Sequence, residues 1–322
     1  MIRYRLGPAV IEIQAETPPR LNPIYDLFQH SGHERPDLLI QVRSDSPSSV
    51  KGALECEVTN HWKLFKAENG FYLEVYDQKD FRVKQLIFIN SKWGQADFFF
   101  FSEDKNLGRF FQGEWQVGEF FTPFVQWWLT SWLAFQKNGM IVHSSAVSFS
   151  DLALAFVGPS GAGKTTIARW CRDIGGKTVL NDERIILWKD QDDWYVSGTP
   201  WPGMLFEAAP MTRPLAGVCI LNKATLNQFI AWNPKKVLTH LLPEAFFPIW
   251  DFGRTDGLVE TASRLTQEVP GGELSFRNDA SILNYLDELI SSLRGAPKER
   301  RSNLKSEIAS ASFGMPPRND VR

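Results

Sequence analysis

Cysteine is scarce: Cys56, Cys171 and Cys219 are the three in 322 residues, and none forms a Cys-x-x-Cys pair. Such spacing excludes a disulfide framework and a zinc site, and suits a reducing cytoplasm. An excess of one charge is also missing, since 35 Lys and Arg face 37 Asp and Glu for a formal net charge of −2. That balance leaves no electrostatic footprint for a nucleic acid or an anionic membrane. No apolar run reaches the roughly 20 residues that a membrane span needs. The best candidate, 120–135, contains Thr122, Pro123, Gln126, Thr130 and Ser131, and reads as a buried helix. The opening MIRYRLGPAVIEIQ alternates polar with apolar residues and lacks the continuous apolar stretch of a signal peptide. No internal repeat is present. What the sequence does have is aromatic bulk, 12 Trp and 24 Phe within a 43% hydrophobic composition, ample for the core of a globular protein.

The pattern predicts an α/β protein: a phosphate-loop nucleotide-binding domain with a mixed sheet, preceded by a small β-rich domain. Residues 1–112 form the expected accessory domain, 113–295 the phosphate-loop domain, and 296–322 a disordered tail rich in Lys, Arg, Ser, Asn and Pro. In the first part, Ile2–Glu12 alternates and Leu38–Val42 is a short apolar run. Trp62–Lys66 and Phe71–Tyr76 flank the turn signal Glu68-Asn69-Gly70, and Val83–Ile89 and Ala96–Phe101 flank 91–94, so a small antiparallel sheet is expected. A helix follows over Glu119–Lys137, stopped at Asn138-Gly139. Strands are expected at Met140–Phe149, Leu152–Val157, Thr178–Leu180, Ile185–Trp188, Trp194–Ser197 and Ala216–Leu221, with helices at 164–173 and 280–293.

The chemistry-bearing motif is Gly158-Pro159-Ser160-Gly161-Ala162-Gly163-Lys164-Thr165, which satisfies G-x-x-x-x-G-K-[ST] at every fixed position and runs on into Thr166. Glycines let successive backbone N–H groups converge on phosphate oxygens, and the helix beginning there adds its positive end. Lys164 offers an ammonium to the β- and γ-phosphates, and the Thr165 hydroxyl is a Mg²⁺ ligand candidate. An apolar strand enters the loop and a helical pattern leaves it, which makes the signal specific for a nucleoside triphosphate, ATP being the expected one. It does not choose among kinase, switch, transport ATPase and silent sensor; the absence of an LSGGQ-type signature argues against an ABC-type ATPase.

Two neighbours narrow the choice. If 140–149 and 152–157 form a hairpin with Ser150-Asp151 at its tip, His143 falls opposite Gly158, at the mouth of the loop. There it either meets phosphate, orients an acid, or is a strand histidine bonded to a carbonyl. Asn181-Asp182-Glu183-Arg184 ends a β-rich run 18 residues beyond Lys164. A carboxylate at such a strand end suits Mg²⁺ coordination or deprotonation of an attacking hydroxyl, and a solvated acidic turn is the plain alternative. The loop Gly198-Thr199-Pro200-Trp201-Pro202-Gly203 is rigid and turn-rich.

The order and spacing of His143-Ser144-Ser145-Ala146-Val147, the phosphate loop and Asn181-Asp182-Glu183-Arg184 resemble the HPr kinase/phosphorylase group, whose fold is related to phosphoenolpyruvate carboxykinase. The Gly-Thr-Pro-Trp-x-Gly loop is similar to one in divergent members encoded with modified-peptide (SynChlorMet-type) cassettes. The resemblance spans about residues 139–203. It implies a cytoplasmic serine kinase using ATP and Mg²⁺, acting on a small protein or peptide and assembling as a homo-oligomer. It implies Asp182 as general base, Asp182 and Glu183 with Thr165 at the metal, Lys164 on the transferring phosphoryl group, and His143 against the acid or the phosphate. Glu183 stands where the family usually has a second Asp, and the family's later Glu-x-Arg-Gly stretch is missing. Beside the kinase stands a second expectation, a nucleotide-binding sensor or partner-binding module without phosphoryl transfer.

Overall fold

The computed structural model describes residues 1–15, 23–43, 52–77, 79, 81–100, 124–136, 138–248, 250 and 252–294. The expected tail and the expected 112/113 domain boundary lie outside these residues, as does the start of the 119–137 helix. Among the described residues the protein is a β-rich α/β structure with two mixed eight-stranded sheets.

The first sheet is built from β1 (Ile2–Leu6), β2 (Ala9–Gln14), β3 (Leu38–Arg43), β4 (Ala53–Val58), β5 (Trp62–Ala67), β6 (Gly70–Tyr76), β7 (Val83–Asn90) and β8 (Gln95–Phe100), with one helical turn, α1 (Pro23–Asp26), between β2 and β3. The alternating run at the N-terminus is two strands, because Gly7 at φ 59° turns the chain into a hairpin pairing Leu6 with Ala9. The Asn69-Gly70 hairpin is present as read, with Trp62 opposite Val75. The expected antiparallel sheet is instead mixed: β3 pairs in parallel with both β2 and β8, giving the order β1-β2-β3-β8-β7-β6-β5-β4. Period-two alternation reports a half-buried strand and carries no information about its partner's direction.

The next helix, α2 (Gln126–Gln136), is buried along most of its length and packs against the first sheet. Trp128 is fully buried, its indole N–H donating to the Trp93 carbonyl at 2.7 Å. Removing a side chain of this kind from water contributes on the order of 2–3 kcal/mol.

The second sheet holds β9 (Gly139–Phe149), β10 (Leu152–Val157), β11 (Thr178–Asn181), β12 (Arg184–Asp190), β13 (Asp193–Ser197), β14 (Thr212–Lys223), β15 (Gln228–Ala231) and β16 (Gly271–Phe276). The long β14 starts antiparallel to β13 and continues parallel to β10, so β10, β9, β12, β13 and β14 close into a ring. Helix α3 (Lys164–Asp173) follows the phosphate loop; α4 (Pro234–Leu241), a 3₁₀ turn (Leu242–Glu244), α5 (Phe252–Glu268) and α6 (Ser281–Arg294) follow.

Side-chain alternation along β9 explains where the site lies. Ile141 packs with the first sheet and α2, whereas Val147 and Phe149 pack with α3 and α6. His143 and Ser145 fall on the same face between these clusters. The opposite face, through Val142 and Ala146, meets α4 and α5. The seam between the first-sheet layer and the phosphate-loop helix is thus lined by His143.

Candidate functional site

The β9–β10 hairpin has the register that the sequence predicts: Phe149 pairs with Leu152 and Ser144 with Val157, which puts His143 level with Gly158. Beyond β10 the chain turns through Pro159–Ala162 into α3. Gly163 caps that helix at φ 113°, ψ 13° without a side-chain hydrogen bond, leaving the first N–H groups of α3 free of any capping side chain. A Cβ at Gly163 would lie 2.4 Å from Cζ of Phe276, so glycine is required there for space as well as for conformation. Pro159, Ser160 and Gly161 are exposed, Thr165 and Thr166 half-buried on the first turn of α3. Lys223, at the end of β14, runs beside Gly163.

Lys164 is 6% exposed, and its ammonium donates to the carbonyls of Gly158 at 2.6 Å and Pro159 at 3.3 Å. Burial holds its pKa below the ordinary lysine range, while the carboxylates of Glu244 and Glu183 oppose that shift. A cation bonded only to carbonyls, beneath uncapped helix N–H groups, fits a polyphosphate.

The acids reach this neighbourhood by two routes. Asn181 ends β11 and its Oδ1 accepts the backbone N–H groups of Glu183 and Arg184, both at 2.7 Å, while its Nδ2 donates to Thr199 O at 2.9 Å. The resulting turn sends consecutive carboxylates in different directions. Asp182 is fully buried, with Oδ1 accepting from Gly203 N at 2.8 Å and Oδ2 from Leu205 N at 2.9 Å. It fastens the 198–206 loop. A Cβ on Gly203 would sit 2.8 Å from Asp182 Oδ2 and 2.9 Å from Glu183 Cβ, which is how closely that loop lies on the acidic pair. Glu183 turns to the seam, its Oε1 3.3 Å from His143 Nε2.

The second route was illegible in the sequence. The 3₁₀ turn ends at Glu244, and the next residue, Ala245, bridges to Val142 of β9. Glu244 Oε2 accepts from Nδ1 of His143 at 3.0 Å. The structure therefore brings together Lys164, His143, Glu183 and Glu244, with Asp182 behind Glu183 in its amide clamp. Nothing at Pro243-Glu244 matches a motif; the one local cue is the helix start at Asn233, whose side chain accepts from Lys236 N. No group of three or more His, Cys, Asp or Glu side chains able to hold a metal occurs among the described residues. Thr165 and Glu183 are a sparse donor set, of the size Mg²⁺ uses when phosphates and water complete its shell.

No family model matches the chain, and no curated protein matches it. Solved structures similar to it include the HPr(Ser) kinase/phosphatase from Coxiella burnetii, at 11% sequence identity and a TM-score of 0.27 over 48% of this chain and 95% of that one. Among the described residues, no helix is long and apolar enough to cross a membrane.

Proposed function

We propose that the chain binds ATP on Gly158–Thr166 and transfers its γ-phosphoryl group to a hydroxyl of a small protein or peptide. One observation carries this reading: the buried Lys164 ammonium, bonded to the Gly158 carbonyl of the loop, lies within electrostatic reach of Glu183 and Glu244, the two carboxylates that bracket His143. Gripping a nucleotide rests mainly on the loop, whereas a carboxylate near the far end of the polyphosphate is what a kinase uses to orient or deprotonate its acceptor.

In this reading the loop amides and Lys164 hold the β- and γ-phosphates. Thr165 and a carboxylate would hold Mg²⁺, which would supply charge neutralisation along the phosphates. The acceptor oxygen forms a new bond to the γ-phosphorus while the bond to the β-phosphate oxygen breaks and ADP leaves. The acceptor proton passes to Glu183, whose orientation His143 sets. Asp182 acts one step back, holding the 198–206 loop against that acid. The serine hydroxyl is the acceptor that the sequence resemblance implies.

Titration with ATP and Mg²⁺, followed by incubation with γ-labelled ATP and a panel of serine-containing peptides, tests this. Wild type should bind nucleotide and label a peptide. Lys164→Ala should lose transfer, and Glu183→Gln should bind ATP but transfer about 100-fold more slowly. Tight ATP binding with no label on any peptide would favour the sensor reading.

A further inference from the structure

The seam contains a second cation that the mechanism above leaves unused. Arg184 opens β12 directly across from His143, and continuing the Val142–Ala245 bridge by one residue puts Glu244 across from His143 on the other side. Arg184, His143 and Glu244 therefore form one row on one face of the sheet. Glu183, its neighbour in the chain, and Glu244, in the same row, are both directed at the imidazole. Among the described residues no carboxylate forms an ion pair with Arg184, and its Nε is buried without an acceptor. Its guanidinium lies over the Phe246 ring, 5.6 Å from the centroid.

A partly buried arginine without a counter-ion is costly, and protein interiors seldom retain one idle. The cation–π contact keeps the guanidinium by the Phe246 ring, and its fork matches the oxygens of a phosphate bidentately. Position separates its task from that of Lys164. Two strand spacings, about 10 Å, lie between the Arg184 backbone and the phosphate loop at Gly158. That spacing puts the Arg184 strand on the far side of His143 from the loop, which suits a group beyond the γ-position.

Building on the transferase reading, we infer that Arg184 is an acceptor-side anion subsite that grips a phosphate monoester, the form of the acceptor after transfer. The subsite favours forward reaction by stabilising charge that exists on the acceptor only once the phosphoryl group has arrived.

Phenyl phosphate, titrated calorimetrically into protein saturated with Mg²⁺·ADP, is the probe, with benzoate as the carboxylate arm. Wild type should bind phenyl phosphate and discriminate against benzoate. Arg184→Gln should weaken phenyl phosphate about tenfold or more while ADP affinity stays within about twofold, and Arg184→Lys, which keeps the charge without the fork, should fall between. Unchanged ADP affinity also certifies that the variants fold. Equal phenyl phosphate affinity in wild type and Arg184→Gln would overturn the subsite, as would benzoate bound as tightly as phosphate. Failure of wild type to bind ADP at all would instead remove the transferase reading on which the subsite rests.

Discussion

The imidazole of His143 donates from Nδ1 to Oε2 of Glu244 at 3.0 Å, joining two residues 101 positions apart in the chain. With Nδ1 so engaged, Nε2 is the nitrogen turned to Glu183. The ring is thereby fixed in orientation between two carboxylates, only one of which is adjacent to the phosphate-loop motifs in sequence.

Glu244→Ala should accordingly slow transfer without weakening ATP. Losing the hydrogen bond frees the ring to rotate away from Glu183, so we expect a 10- to 100-fold fall in kcat, the scale of a misplaced acid–base group. ATP affinity should hold or improve slightly, since a negative charge acting on Lys164 is removed. Glu244→Gln, which retains an acceptor oxygen, should recover much of the rate. Steady-state kinetics with the labelled peptide separates kcat from KM; a rise in KM for ATP with kcat intact would contradict the assigned role.

Asp182 is expected to matter for the loop before it matters for chemistry. Both oxygens accept backbone N–H bonds, from Gly203 and Leu205, and hydrogen bonds to a charged group contribute about 1.5–3 kcal/mol each when buried partners are left unsatisfied. Asp182→Ala should lower the urea midpoint by an amount equivalent to about 3–6 kcal/mol. It should also release amide exchange protection at 203 and 205. An unaltered midpoint with those two amides still protected would show that the clamp is not what holds the loop.

The legible part of this molecule is the part whose signals are local. The Asn69-Gly70 turn, the 152–157 strand, the helix at 164–173 and the hairpin register at His143 each depend on residues within about twenty positions. The parallel pairing of β3 depends on partners far along the chain, and alternation alone does not encode it. The same limit governed the site. Asp182 and Glu183 look equivalent as neighbours, yet the Asn181 turn buries one and turns the other to the seam. Glu244 is brought in by an antiparallel bridge from a region whose helix α5, interrupted by Gly257 and rich in Thr and Arg, left little periodicity to read.

Gly163→Ala tests the phosphate cradle from the backbone side. The position has φ 113° and its Cβ would meet Phe276 Cζ at 2.4 Å. A residue other than glycine costs about 1–2 kcal/mol in such a conformation, and overpacking adds roughly 1–3 kcal/mol. The helix start must shift to relieve both, so ATP binding should fall at least about 100-fold. Thermal denaturation, measured alongside, should show a folded protein of reduced Tm. ATP affinity equal to wild type would remove the Gly163 amide and the α3 N-terminus from the binding site.

The pH dependence of ATP binding should report Lys164. In the free protein, burial sets this ammonium below the ordinary lysine pKa of 10.5. Bound phosphates favour the charged form, so binding raises the same pKa. Below the free-protein pKa, lysine is charged in both states and contributes no slope. Above it, binding must first take up a proton, and affinity falls as pH rises, by up to about tenfold per unit, until the pKa of the complex is passed. Phosphate monoester oxygens lose their last proton near pH 6, so the nucleotide itself contributes little above pH 8. Dissociation constants for ATP measured from pH 8 upward should therefore climb before pH 10.5 in wild type and stay flat over that interval in Lys164→Gln. The same slope in both proteins would assign the titration to another group, and no slope in wild type below pH 10.5 would mean that the ammonium is more hydrated than its place beneath Gly158 and Pro159 implies.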